Sequence, residues 1–504
     1  MSDSVHRGDR SPPEGPFWQG VRAIARRGIG QVSGLTPEGR DALLYGGSAL
    51  FAGATGLLVR IPLYRQWGQL AVGPYAAAAV IMALVAAGAG RPAATRSPPT
   101  RRPRTVRRTA RVVAFLIVLF GATVVPLTLE VVWRSQGNPA LHVQPEVVVV
   151  EQAGARAADG HDPYRVIDRN GHVVIAHQAS EPAYELYYPY LPGMVIFGVA
   201  SDANGEARLT DARIQFLVFT AVVGLVALSR LRPRTDARVR ALQVLTVLPT
   251  AALPLATGGD DLPVVALMLA GLVALQRRRP VLAGLALGAA SSLKFTAWPL
   301  VVLALFAARD RSRRGAVGRY VLGVVAVCGP VVLPLALRNP AAFVDNVVRY
   351  PLGLAGVSSP AASALPGHIL VALAPGAHRA YVVVVGLVGA VVLLWYLRRR
   401  PPSNAGEVAS LTGWVMTIAI LLAPATRVGY LLYPVNLFVW AWMLRRSADP
   451  AVPAEAPDRC SSATGRPSPA APGVQLASGS SNSSMENGVT PADVVSDTTA
   501  PTSQ

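Results

Sequence analysis

Lysine is almost missing from this chain. Lys294 is the only one in 504 residues, so arginine supplies the other 46 of the 47 basic side chains. Cysteine is nearly as scarce. Cys328 lies in an apolar run and Cys460 in a polar tail, too different in context to suggest a disulfide. Charged residues make up 15% of the sequence against 52% hydrophobic, which points away from a water-soluble protein. Residues 1–40 are polar and basic with no apolar stretch before Leu43, so no cleavable signal peptide is expected. No repeat of fixed period and no coiled-coil heptad is present. No spacing of histidines and carboxylates makes a metal site, so none is assigned, and dependence on a divalent metal stays open.

Apolar runs of membrane-crossing length recur from Leu43 to Leu444, which identifies an all-α, polytopic transmembrane bundle. Twelve spans are expected, at 42–61, 68–90, 111–133, 212–231, 240–257, 260–276, 280–292, 296–308, 317–337, 378–397, 408–424 and 428–445. The net charge of +19 raises nucleic acid, but the arginines collect in short segments between apolar runs. Eight arginines and no acid fall in 91–111. That is the positive-inside pattern, with those segments cytoplasmic and near anionic lipid. Nucleic acid is therefore not an expected partner, and membrane lipids are. An even span count puts both termini inside a cytoplasmic membrane. Residues 1–40 then form a basic cytoplasmic tail, 41–110 a two-span appended module with a Pro/Arg-rich linker, and 447–504 a disordered cytoplasmic tail.

The same topology places a polar loop outside. From Arg134 to Tyr187 it holds seven carboxylates, four arginines and four of the chain's seven histidines. Long loops of this kind are functional or disordered, and the apolar and aromatic residues at Val147–Val150 and Tyr184–Tyr190 argue against disorder. Glu146 follows directly after the third span, at the membrane boundary. Glu151 stands five residues on, which on a helix is about 140° around the axis, so the two are no obvious dyad. Gly160–Tyr164 reads GHDPY, which is turn chemistry. A carboxylate beside the bilayer suits general-base activation of a sugar hydroxyl, since desolvation raises its pKa. The alternative is a merely solvated acidic surface. Two anomalies suggest a polar cavity: the short, Pro-containing apolar piece Tyr188–Ala200, and the 280–308 stretch, expected as a hairpin of two short helices turning near Ser291–Phe295.

The Glu146–x17–Tyr164 spacing ending in GHDPY resembles the first extracytoplasmic loop of polyprenyl-phosphate-dependent glycosyltransferases of the GT-C superfamily, and most closely glycosyltransferase family 87. In that family the acid opening the loop is commonly Asp, where this chain has Glu146. GGDDLPVVALMLAGLVAL (258–275) and RRRPVLAGLALGAASSLKFTAWPL (277–300) are similar to a further family block, in which a Lys follows a small-residue helix. The resemblance runs over about residues 111–445. It implies a GT-C-like catalytic domain at 111–446, with its first large extracytoplasmic loop at 134–210 and Glu146 as catalytic base. It also implies a polyprenyl-phosphate sugar donor, most often of mannose, and a lipid or glycan acceptor.

Other candidates surround that assignment. Lys294, an ionisable group between apolar segments, is expected either to bind the donor phosphate or to snorkel to the interface. Arg427, with Tyr430, faces the same side and either contacts phosphate or anchors a helix end. Asp260 and Asp261 either cap a helix N-terminus or bond sugar hydroxyls. Asp162 and Tyr164 are candidate substrate contacts, and Tyr184, Tyr187, Tyr188 and Tyr190 are candidates for stacking on a sugar ring, with interfacial anchoring as the alternative for these last four. A transporter or lipid-linked sugar flippase is the competing function. Against it, the acids lie in a loop, and no halves with matching interruptions are present.

Overall fold

A computed structural model of the chain describes residues 35–89, 102–137, 141–164, 183–200, 210–231, 235–309, 315–357 and 359–447. The tail expectations, His172 and His177 lie outside the described residues. What is described is helical, with no β-strand.

Helix α1 (Pro37–Leu58) starts under Thr36, whose hydroxyl accepts from Gly39 N at 3.1 Å, with proline at the first helical position. A tight turn leads to α2 (Pro62–Ala89). The next span is one continuous rod: α3 (Arg102–Val118), a π-helical stretch Leu119–Val124, and α4 (Val125–Gln136). The Ala122 carbonyl in the π stretch accepts from the buried Trp67 indole at 2.9 Å. Tyr45, Trp67, Tyr75 and Met82 of α1 and α2 share a core with Ala114, Ala122 and Leu127 of this rod. Further along come α5 (Pro145–Ala158), α6 (Ala212–Ser229), α7 (Thr235–Thr246) and α8 (Pro249–Thr257). After these follow α9 (Asp261–Gln276), α10 (Pro280–Leu293) and α11 (Trp298–Ala307). The C-terminal part holds α12 (Ala316–Arg338), the one-turn α13 (Pro340–Val344), α14 (Pro366–Leu373), α15 (His378–Arg399), α16 (Ala405–Leu422) and α17 (Leu432–Ser447). A second, larger core joins α5 through α12 with α16 and α17.

Among the described residues, seven stretches are long and apolar enough to cross a membrane, from Pro62–Gly88 to Ala405–Leu422. The expected twelve are not all of that kind. Asp261–Gln276, Pro280–Leu293 and Phe295–Ala307 are apolar but short. At 1.5 Å per residue, a helix of their length rises about 20–24 Å, less than a hydrocarbon core of about 30 Å. The 240–257 stretch is among the seven, although a turn at Val247–Leu248 separates α7 from α8 within it. In the 280–308 stretch, α10 and α11 are separated by Lys294 in extended backbone and a 3₁₀ turn at Phe295–Ala297. Tyr188–Ala200 does not form a spanning helix; it carries a 3₁₀ turn at Pro192–Phe197.

Two close approaches set the geometry around the site. A Cβ on Gly154 of α5 would sit 2.1 Å from the Gly198 carbonyl carbon, and one on Gly198 would sit 2.1 Å from the Val150 oxygen. The helix therefore lies backbone to backbone on the 192–198 turn. On α10, Gly284 and Gly288 meet the α12 backbone at Tyr320 and Val324 in the small-xxx-small manner of membrane helices. We expect Gly154→Ala to cost about 1–3 kcal/mol through overpacking. Gly46→Ala, in open space on α1, should be neutral or slightly stabilising. Thermal unfolding in detergent checks both, and equal effects would contradict this packing.

Candidate active site

The rod and α5 are joined by a buried ionic network. Arg134 at the end of α4 forks onto Glu151 (2.6 and 3.0 Å) and also reaches Asp211 at 2.8 Å. Asp211 caps α6, accepting from Arg213 N at 3.0 Å, and takes the Arg213 guanidinium at 2.8 and 2.9 Å. Burial pushes the Asp211 carboxyl up, but Arg213 and Arg134 outweigh it and hold it at about 2. Glu151 is thus tied into a structural network, with both oxygens on Arg134. On the same helix Glu146 lies in the first turn, well around the axis, and faces a cavity.

The cavity has a volume of about 1080 Å³. A smaller one of about 210 Å³ adjoins it, and Glu146, Lys294, Arg427 and Tyr430 line both. Glu146 Oε1 is ion-paired with Arg427, while its Oε2 is buried and has no partner among the described residues. Burial raises the Glu146 carboxyl above the ordinary glutamate value, and Asp260 adds to this; Arg427 and Lys294 pull the other way without cancelling it.

Lys294 is 8% exposed, so snorkelling into water is not its arrangement. Its ammonium donates to Asp260 Oδ2 at 2.7 Å and to Asp261 Oδ1, and lies 5.0 Å from the centre of the Tyr190 ring. The Tyr433 hydroxyl also donates to Asp261 Oδ1, at 2.6 Å, and accepts from Thr296 at 2.6 Å. Asp260 occupies the cap position of α9 without a side-chain capping bond, because its carboxylate is turned to Lys294. That replaces the capping expectation: beside a buried ammonium, the ion pair wins. The Gly259 backbone, at φ +93°, makes the turn into α9 that aims both aspartates. Asp260 and Asp261 line the larger cavity, and Tyr190 the smaller.

Asp162, Tyr164 and Tyr188 line neither cavity. Asp162 Oδ1 accepts from Tyr164 N at 3.0 Å, an Asx-type closure of the GHDPY turn in which Gly160 supplies φ +75°. The buried Tyr164 hydroxyl donates to the Tyr190 carbonyl at 2.9 Å, and the Tyr164 ring packs against Tyr188 at 5.6 Å. In this structure the three brace the chain beneath Tyr190. Of the loop's histidines, His142 pairs with Glu130 at 2.9 Å outside the cavity. Sequence reading missed Gln144, which donates to Tyr64 at 3.0 Å and Thr257 at 2.8 Å on the cavity wall, and also Tyr433. Neither carries a local signal, since each contact crosses more than 75 positions of sequence. Among the described residues no group of three metal-ligating side chains is assembled.

Part of the chain is similar to a known family. The model of glycosyltransferase family 87 matches residues 207–424. The protein is a glycosyltransferase. The match is narrower than the resemblance read from the sequence. It takes in Asp260, Asp261 and Lys294 and stops short of Glu146 and Arg427. It does not favour a transporter. No curated protein and no solved structure matches the chain.

The buried triad gives a stability test. Lys294→Met leaves two carboxylates facing each other without a counter-ion, and we expect a loss of about 3–5 kcal/mol in detergent unfolding. Adding Asp260→Asn and Asp261→Asn should restore most of it. A single variant as stable as the parent would show that the triad does not hold these helix ends.

Proposed function

We propose that this membrane glycosyltransferase transfers a sugar, mannose in the simplest reading of the resemblance, from a polyprenyl-phosphate donor to a lipid or glycan acceptor. We place the reaction on the extracytoplasmic face of the cytoplasmic membrane. The observation that carries the reading is that two adjoining cavities share Glu146, a carboxylate with one buried and unpaired oxygen among the described residues, together with the cations Lys294 and Arg427. Glu146 takes the proton of the acceptor hydroxyl as that oxygen attacks the anomeric carbon. The bond from that carbon to the phosphate oxygen breaks, and its electron pair leaves with the phosphate.

Charge bookkeeping supports the cationic roles. The donor phosphodiester carries one negative charge, and the departing monoester carries about 1.5 to 2 near neutral pH. Cations fixed beside it therefore gain interaction energy as the bond breaks, which is the condition for lowering a barrier. An ammonium has three donors, and two of those on Lys294 are held by the aspartates, so one remains for phosphate. The Arg427 guanidinium has further N–H groups beyond the one on Glu146. The aromatic lining of the smaller cavity, including Tyr184, Tyr187 and Tyr190, suits the face of a sugar ring.

Purified protein incubated with radiolabelled polyprenyl-phosphate mannose and native lipid extract should form a labelled product. Glu146→Gln should lower the rate about 10²–10⁴-fold with folding intact; normal turnover in that variant would sink the base assignment.

The raised Glu146 carboxyl fixes a pH signature. Its basic form is lost as pH falls through a value above the ordinary glutamate range, so kcat/KM should fall there. Arg427 lowers that value, so Arg427→Gln should move the acid limb to still higher pH. A limb that stays put in the variant contradicts the pairing.

A further inference from the structure

We infer that the α1–α2 hairpin, which lies outside the family-matched segment, is one wall of the groove that holds the apolar chain of the lipid-phosphate donor. The inference rests on the transfer reading above, and goes beyond it in assigning a site to an element with no role so far.

The larger cavity is unequal at its two ends. One end is the charged cluster of Glu146, Asp260, Asp261, Lys294 and Arg427. The rest is mainly apolar, with Ser48 and Thr250 among its few polar members: Leu43, Leu44, Gly47 and Phe51 of α1 line it, as do Leu253 of α8 and Leu432 of α17. The hairpin is oriented by its contacts. Tyr64, at the start of α2, accepts from Gln144 beside Glu146, so the α1–α2 turn lies at the charged end. At the far end of α1, Asp41 is buried against Arg111 at 2.6 Å and Arg240 at 2.9 Å. From Leu58 to Gly47, α1 rises about 16 Å. The groove therefore runs from the phosphate-binding cations along a helix for many carbon–carbon bonds. Leu43 and Phe51 are 56% and 48% exposed, which leaves apolar side chains uncovered along this wall.

A single amphiphile fits this shape, one with an anionic head and a long hydrocarbon tail. The charged end selects the donor over the acceptor as the tail's owner. The two cations there suit a phosphate, and the donor is the substrate that carries one in the proposed reaction.

Two neighbouring glycines make the inference testable without touching the charged cluster. A Cβ on Gly46 or on Gly47 meets nothing within 4 Å among the described residues, so a side chain can start at either without a clash at its base, yet only Gly47 lines the cavity. Gly47→Trp should fill the groove and raise KM for a long-chain polyprenyl-phosphate sugar about tenfold or more. It should leave transfer from a short-chain phosphate sugar unchanged, and Gly46→Trp should alter neither. Equal behaviour of the two variants, or a change confined to the acceptor's KM, overturns the assignment. Photolabelling gives an arm independent of turnover. A polyprenyl phosphate with a photoreactive tail should label the peptide around residues 43–51 in the parent and lose that labelling in Gly47→Trp. Absence of label from that peptide overturns the groove, even if sugar is transferred. If the parent transfers from neither donor but the peptide is labelled, the transfer reading fails and the groove stands.

Discussion

A buried ammonium sets the constraint that the rest of the site obeys. Lys294 cannot stay charged among apolar helices without anions against it, and the two it has are consecutive residues at the start of α9. For those three groups to meet, the end of α10 must lie beside the beginning of α9. The Tyr433 hydroxyl then ties α17 to the same point through Asp261, and Thr296 ties in the turn before α11. The bundle thus closes around a charged node rather than a purely apolar one. Breaking off one member leaves buried charge behind, whereas an apolar contact would leave only a void.

A second node does for α5 what the lysine does for α9 and α10. Arg134 has two carboxylates to satisfy, Glu151 and Asp211, and satisfying them fixes where α5 meets α4 and α6. The backbone contact of Gly154 with Gly198 then sets the helix's depth. With Glu151 turned to Arg134, helical geometry leaves Glu146 facing another way, toward Arg427 and the cavity. Two glutamates on one helix acquire different chemistry from this division. One has both oxygens engaged by Arg134, and the other keeps one oxygen buried and free.

These nodes explain what was legible in the sequence. Helical class, the lone lysine and the broken 280–308 stretch are local properties, because composition and period act within a few turns. The separation of Glu146 from Glu151 is also local, since it follows from 100° per residue. The Lys294–Asp260 pairing is not, because 34 positions and a full helical hairpin intervene. Sequence reading weighed each partner by itself, as a phosphate ligand or as a cap. The GHDPY turn is legible as a turn. Its residues are turn formers, and in this structure Asp162 and Tyr164 close the turn and support the Tyr190 carbonyl. The count of twelve spans goes beyond what helix length supports. An apolar run shows that a segment avoids water, and a short helix packed inside a bundle satisfies that as well as a full span does.

The pairing of Glu146 with Arg427 has a consequence for the proposed transfer. Before reaction the guanidinium is partly neutralised by the carboxylate, so it offers less to the donor phosphate. When Glu146 accepts the acceptor's proton its charge vanishes, and Arg427 loses the anion that competed for it. That happens as the departing phosphate gains charge, so the cation's preference swings from base to leaving group within one step. Lys294 cannot behave this way, since its aspartates are not part of the proton transfer and hold it throughout. The two cations therefore divide the work. In the proposed transfer Lys294 would offer a constant charge to a phosphate whose own charge grows, and Arg427 would add a charge that is itself released toward the transition state, the kind of interaction that raises a rate rather than an affinity.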